Sequence, residues 1–511
     1  MHFRAFAGIG LPWCVLAFVL AVRPSAQAPP GASPTARDVA TAEEVQARCG
    51  TACHKLPPPD ILPRSAWRDE LVRMMLIQEG VPEPAGSSHF IPLPPDWLRV
   101  LRYYEAKAPA ALPDPEPWPA PATGKLAFTR RSLVPPGGTA APAIANVRLV
   151  DLDGDRRLDV LASDMRLGAV LAGYGRKQFA LETIAELRHP SHIEPVDLDR
   201  DGLLDLLVAD LGSFQPADHH NGSVHWLRRS KDGRFTAITL AEGLSRLADA
   251  RAADLDGDKD LDIVLGVFGW RRTGNITVLE NRTQDWKNPV FTPTVVDKRT
   301  GAIHVPVADV NADGRPDIVA LLAQEHESVV ALVNDGKGLA FTPRTLYAAP
   351  HPNWGSSGIE LVDLDKDGDL DVLMTHGDTF DDFVLKPYHG IQWLENTGNF
   401  ELTPRTLAAL PGAHRAAAAD VDGDGDLDIV ATAMVAGGGG PFEPKLASLV
   451  WLEQTAPRVF ERRTIELGEP YHATLDVGDV DGDGDPDVAV GLFAFTRPLK
   501  SWVELWENRK K

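Results

Sequence analysis

Downstream of residue 124 the chain alternates short apolar runs with polar, glycine-containing breaks. One unit reads as four strands. Ile359-Glu-Leu-Val-Asp363 runs into an acidic loop and Asp371-Val-Leu-Met374 leaves it. Gly390-Ile-Gln-Trp-Leu-Glu-Asn396 follows, and a fourth run opens at a phenylalanine, Phe400-Glu-Leu-Thr-Pro-Arg-Thr-Leu407. Runs of this length, rich in β-branched and aromatic residues and bounded by turn formers, predict strands. The third strand recurs around Trp226, Leu279, Trp393, Trp451 and Trp506; the fourth begins at Phe179, Phe235, Phe291, Phe341, Phe400 and Phe460. These aromatic residues are expected to form core between neighbouring units. The last unit stops after its third strand, while an unmatched fourth, Phe128–Leu133, precedes the first. Pairing the two would close a ring and leave no long sheet edge.

Upstream the period changes to that of helices. Trp67, Leu71, Met74, Met75 and Leu76 mark one helix within 60–78, and Asp96 is expected to N-cap a second through Trp97, Leu101 and Tyr104. The proline-dense stretch 109–123 reads as a stiff, extended linker. Residues 1–28 have a basic start, an apolar run and a small-residue cleavage site at Ala26-Gln27-Ala28, the pattern of a secretory signal. The expected organisation is therefore signal 1–28, a small helical domain 29–108, linker 109–123 and a strand domain 124–511. The mature chain is expected to be periplasmic or extracellular, with no membrane span.

Each unit contains the same nine-residue loop, cleanest at Asp420-Val-Asp422-Gly-Asp424-Gly425-Asp426-Leu-Asp428. Carboxylates at positions 1, 3, 5 and 9 make an oxygen cage suited to Ca²⁺. The other six loops offer Asp151, Asp153, Asp155 and Asp159; Asp197, Asp199, Asp201 and Asp205; Asp254, Asp256, Asp258 and Asp262; Asp309, Asn311, Asp313 and Asp317; Asp363, Asp365, Asp367 and Asp371; and Asp479, Asp481, Asp483 and Asp487. First aspartates are spaced by 46, 57, 55, 54, 57 and 59 residues. A repeat of that length with four strands per unit predicts a seven-bladed β-propeller. Position 6 is glycine in five loops but Arg156 and Lys259 in two, which are expected to bind more weakly or turn differently. Asn311 removes one charge from the fourth loop. The net charge of −21 is concentrated in these loops, so seven divalent cations would offset most of it, and the absence of a basic face argues against a nucleic-acid role.

These repeats resemble the FG-GAP/VCBS family, whose calcium-loop blades also build integrin-type propellers and several secreted bacterial proteins. The resemblance covers roughly residues 124–511. It implies the fold and leaves the activity open.

The two cysteines beyond the signal stand in Cys49-Gly-Thr-Ala-Cys53-His54. Paired cysteines followed by histidine attach c-type haem through two thioethers with the histidine on iron, although the usual spacing has two intervening residues rather than three. The alternative is a local disulfide. Together with Trp67, Met74 and Tyr103-Tyr104, the segment resembles a small cytochrome c domain. That resemblance implies covalent haem on Cys49 and Cys53, His54 as one iron ligand and Met74 as the other, with Met75 as its rival.

His192, His304, His414 and His472 lie five, five, six and seven residues before the first aspartate of their loops. If the strand entering the loop is innermost, they sit at the channel mouth away from the aspartate loops. There they could hold a metal, an anion or a polar ligand, or simply bond a neighbouring blade's backbone. His219, His220, His351, His376 and His389 read as loop residues. No nucleophile elbow, zincin motif or phosphate loop is present, so no enzymatic activity is assigned. Three functions remain open. One is an exported calcium-bound propeller joined to a haem domain that exchanges electrons with a protein partner while binding a ligand. The others are a secreted lectin-like binding propeller with a disulfide, and a polysaccharide-active enzyme.

Overall fold

The computed structural model describes residues 38–50, 55–81, 90–121 and 126–509. The signal read at 1–28, and Cys53 and His54, lie outside them.

From Ile144 onward seven antiparallel sheets follow one another, each with its strands in chain order. The first strand of each sheet touches the first strand of the next, and the seventh touches the first. The sheets are thus blades around a channel, with the strand that enters each aspartate loop innermost. Phe128–Leu133 pairs with Val503–Asn508, Phe128 opposite Asn508 and Leu133 opposite Val503, and supplies the outer strand of blade seven. The ring closes as the strand count predicted. Apolar residues on facing sheets fill the gaps between blades; Leu373, Ile391 and Trp393 of blade five, for example, pack with Ile429, Ala431 and Val450 of blade six.

Two details depart from the expected strands. Phe179 and Phe400 do not open their strands; they sit at φ 58° and 53°, and the strands begin at Leu181 and Leu402. In blade four the innermost strand is broken between Ala302–His304 and Val307–Ala308. Pro306 falls in the gap because it has no N–H to give the ladder; its carbonyl still accepts from Val319 N at 2.9 Å.

Among the described residues the N-terminal unit has three α-helices: α1 (Ala42–Cys49), α2 (Trp67–Glu79) and α3 (Pro95–Lys107). Thr41 and Glu44 form a reciprocal capping box at the start of α1. The turn at Pro59–Ile61 and Pro63 delay α2 to Trp67. Asp96 is not the cap of α3 but lies in its first turn, behind Pro95. Trp67 stacks on Tyr104 with centroids 3.8 Å apart, and the Tyr104 hydroxyl donates to Pro57 O at 3.2 Å. Among the described residues no helix is long and apolar enough to cross a membrane.

This unit is docked on blade five. Val384 and Tyr388 pack on its core, the Tyr388 hydroxyl donates to Ile61 O (3.3 Å), and Arg73 Nη2 donates to Asp381 O (2.5 Å). The proline-dense stretch runs extended along blades five and six. Its Trp118 is buried and donates to Ala409 O at 3.0 Å, while Thr464 Oγ1 donates to Pro119 O at 2.6 Å. His351 and His389 lie in loops, as expected, whereas His376 ends the strand Asp371–His376. All three are buried with Trp354 and Tyr388 beside the docked unit, and Trp354 stacks on His376 at 4.2 Å.

Candidate functional sites: the aspartate loops and the channel mouth

In every loop the carboxylate at position 1 accepts the backbone N–H of position 6, as in Arg156 N to Asp151 Oδ2 (2.9 Å) and Gly314 N to Asp309 Oδ2 (2.7 Å). Oxygens of Asp151, Asp153 and Asp159 lie within 4.8 Å of one another, as do those of Asp197, Asp199 and Asp205 and those of Asp363, Asp365 and Asp371. In the third loop the converging set is Asp254, Asp256 and Asp258. This all-oxygen geometry fits a hard divalent cation.

Position 9 has a second task that its sequence pattern does not announce. Asp371 accepts Leu364 N on Oδ2 (3.0 Å) and Asn396 N on Oδ1 (2.7 Å), buckling its own loop to the third strand. Asp317 and Asp487 repeat both bonds in blades four and seven. Burial, with help from neighbouring loop carboxylates, pushes Asp159, Asp205, Asp262, Asp371, Asp428 and Asp487 up to about 6. A nearby cation would favour the charged form of such a cluster. Part of that need is met by arginines: Arg228 reaches Asp199 at 2.5 Å, Arg458 of blade six reaches Asp365 of blade five at 2.6 Å, and Arg509 reaches Asp481 at 2.7 Å.

Arg156 and Lys259 do not change the turn. They adopt φ 69° and 77°, and their N–H groups keep the bond to position 1. Position 4 is left-handed as well, at Arg200 (57°), Ala312 (57°) and Lys366 (61°) where the residue is not glycine. Each of the first five loops thus carries one strained residue, and the last two, with glycine at both positions, carry none. Since a non-glycine residue there costs on the order of 1 kcal/mol, Arg156→Gly and Lys259→Gly should each stabilise the propeller by about 1 kcal/mol, offset partly by the freer unfolded glycine. Urea titration of the two variants would check this.

At the other end of the innermost strands, all seven blades carry the same β-bulge, between the residues that pair at Ile144/Asn146, Pro190/His192, Leu247/Asp249, Ala302/His304, Ser356/Gly358, Ala413/Arg415 and His472/Thr474. A bulge re-aims the side chains that follow it. Asn146, His192, Asp249, His304, Gly358, Arg415 and Thr474, each five residues before its loop, form one ring of equivalent positions. Two residues on stand Arg148, Glu194, Arg251, Glu360 and Asp476, on the same strand face. Neighbouring blades join through these rings. His192 Nδ1 lies 2.9 Å from Asp249 Oδ1, Arg251 bridges Asp249 (3.0 Å) and Glu194 (2.9 Å), and Arg148 lies 3.9 Å from Asp476.

His192, His304 and His414 line one cavity of about 1350 Å³ that opens between the channel and the helical unit. Burial, reinforced by Arg415, holds His304 well below the usual imidazole range and His414 down to about 4, so both are neutral at pH 7. His472 is not part of this wall. It precedes the bulge, pairs with Leu492 and is buried between blades six and seven. There Nε2 lies 3.4 Å from Glu466 of blade six and 3.6 Å from Glu504 of blade seven, and Nδ1 bonds the backbone carbonyl of Ser448 in blade six, the neighbouring-blade contact expected as the alternative. Five residues before the loop is the ring position and His414, at six in the bulge itself, still reaches the cavity, whereas an offset of seven lies before the bulge.

The helical unit contributes Cys49, Met74, Ile61, Leu62 and Trp67 to the same cavity, together with Arg48 and Ile77. Met75 is packed into the core of the unit, so of the two methionines Met74 is the one on the cavity wall. Burial pushes the Cys49 thiol up to about 11. On the propeller side Phe214, Phe380, Phe493 and Phe495 add an aromatic rim, with Phe214 and Phe493 stacked at 6.1 Å.

No curated protein matches the chain. Among solved structures it is similar to a virginiamycin B lyase from Staphylococcus aureus, with 11% identity over 75% of this chain and 99% of the other and a TM-score of 0.45. A streptogramin B lyase is similar at 13% identity over 75% and 98% of the two chains, with a TM-score of 0.46. The BBS1N–ARL6DN complex gives 12% over 76% and 96%, with a TM-score of 0.42. The closed ring of seven sheets makes this chain a seven-bladed β-propeller, and within it residues 197–265, 309–374 and 376–431 match the FG-GAP-like repeat.

Proposed function

We propose that the protein is an exported calcium-binding propeller whose N-terminal helical unit carries covalent haem and exchanges electrons with a ligand or protein partner at the channel mouth. The observation that carries this reading is the shared cavity: Cys49 and Met74 from the helices and His192, His304 and His414 from the channel line one space. At about 1350 Å³ it exceeds an ordinary small-molecule site and has room for a planar cofactor beside a ligand. Cys49 would hold the haem as a thioether, a form in which a thiol pushed far from ionisation is no obstacle. Met74 would be an iron ligand. When bound, the haem would supply one-electron chemistry, and the chain's own part is to enclose it against Trp67, Ile61 and Leu62 and exclude water. Calcium would sit on the aspartate loops at the far end of the channel as a staple for each blade.

The test is a visible spectrum, oxidised and reduced, of protein exported alongside c-type haem maturation proteins. Bands that survive denaturation are expected, and Met74→Ala should change the spectrum while Met75→Ala mainly lowers stability, by about 2–4 kcal/mol as for a buried methionine. A colourless protein whose Cys49 and Cys53 are disulfide-linked by mass would end the haem reading.

A further inference from the structure

Arg246, just before the innermost strand of blade three, is only 8% exposed and lines the cavity, with its guanidinium 5.6 Å from the Phe268 ring centroid. Two other cavity arginines have carboxylate neighbours: Arg251 pairs with Asp249 and Glu194, and Arg148 lies 3.9 Å from Asp476. Among the described residues the Arg246 guanidinium makes no hydrogen bond or ion pair, and its buried Nε has no partner. Burial alone pushes it down to about 10. Gln324, in the turn that follows the second strand of blade four (Asp317–Leu322), is also unsatisfied. Both Nε2 and Oε1 are buried without partners, and its backbone is held at φ 58°.

Backbone bonds tie these segments side by side. Gly269 N donates to Arg246 O (3.0 Å), Gly301 N to Phe268 O (3.0 Å) and Ala323 N to Gly301 O (2.8 Å). Trp270 lines the same wall. Glu325 does too, but its carboxylate is engaged by Thr300 Oγ1 at 2.8 Å and lies 3.7 Å from His326. A buried, unmatched cation and an unmatched amide both cost stability, and a ligand that supplies the missing partners recovers it.

We infer that this wall is an anion subsite for a carboxylate borne on a flat, apolar body. Arg246 provides the charge, the Gln324 amide a hydrogen bond, and Phe268 and Trp270 the apolar face. The inference rests on the reading of the cavity as a ligand site and is independent of the haem. The carboxylate has two sources, a free aromatic acid or the carboxylate side chains of a haem in the same cavity.

Benzoate, with neutral benzamide as its isostere, is titrated calorimetrically into the full chain with and without haem. Benzoate should bind at least tenfold more tightly than benzamide, and Arg246→Met should abolish the difference without lowering Tm in the absence of probe. Gln324→Leu should weaken benzoate several-fold. Discrimination in both forms assigns the site to a free acid; discrimination only in the haem-free form assigns it to the haem carboxylates. Equal binding of the two probes in both forms overturns the inference, as does an Arg246→Met variant that binds benzoate unchanged. A colourless preparation that still discriminates leaves the subsite standing while the haem reading falls, and a haem protein that fails in both forms sinks the subsite alone.

Discussion

Stripping calcium with EGTA should lower the Tm of the protein by more than about 10 °C, since a site held at a hundred times its Kd adds about 2.7 kcal/mol and a large domain gains roughly 2–4 °C per kcal/mol. Seven loops contribute unequally. Those with a strained position 4 or 6, or with an arginine already on position 3, should give up their ion first, and blade six, with Gly423 and Gly425, last. The calcium-dependent part of the Tm should also shrink between pH 7 and pH 5. Without a cation, the position-9 carboxyls titrate near 6 because they are buried among like charges, above an unfolded value of about 3.9. Their contribution to stability is therefore present below about pH 4 and is lost as pH rises through 6. A bound cation reverses that, so protons and calcium compete. Burial lowers His351, His376 and His414 to about 4, 3 and 4, and their contribution runs the other way, present above pH 6.5 and lost on acidification. These imidazoles titrate in both samples, so the difference between calcium and EGTA scans isolates the loops. A Tm unchanged by EGTA at pH 7 would refute calcium as the staple.

The aspartate loops and the ring closure were legible because both are local facts of sequence. A nine-residue motif carries its own ligand spacing, and a missing fourth strand at one end with a spare at the other needs only counting. The helices showed through their apolar period, though Pro59 and Pro63 moved the start of α2 away from Asp60. The channel was less legible. Its lining is set by a bulge, which is a mismatch with a partner strand some twenty residues away and leaves no residue signature of its own. His192 and His304 stand five residues before their loops and so occupy the ring, and His414, at six, still lines the cavity; His472, two residues earlier and before the bulge, lies between two sheets and bonds the neighbouring blade's backbone. The paired charges Arg251, Asp249 and Glu194 could have been found by reading positions five and three before every loop. The burial of His351, His376 and His389 comes from packing with Trp354 and Tyr388, residues distant in sequence from some of them, which no local pattern encodes.

Asp371→Ala should destabilise the propeller by about 3–5 kcal/mol whether or not calcium is present. Its carboxylate is fully buried and receives two backbone donors, Leu364 N at 3.0 Å and Asn396 N at 2.7 Å. Removing it strands both N–H groups in the protein interior, at roughly 1–3 kcal/mol each, and opens a small cavity. Asp367, at position 5 of the same loop, is exposed and takes only the N–H of Asp369, 3.0 Å away within the loop. Asp367→Ala should therefore cost little in EGTA and show its loss only when calcium is added. Asp371→Asn falls between the two, because its amide keeps one acceptor and sets a donor against the other N–H. Urea titrations of the three variants, each in calcium and in EGTA, separate the buckle from the cage. Equal losses for Asp371→Ala and Asp367→Ala in EGTA would mean that position 9 does no more than hold the ion. A large loss confined to Asp371→Ala would mean that the loop is tied to the third strand before any ion arrives, so that calcium binds to a preformed turn and tightens it.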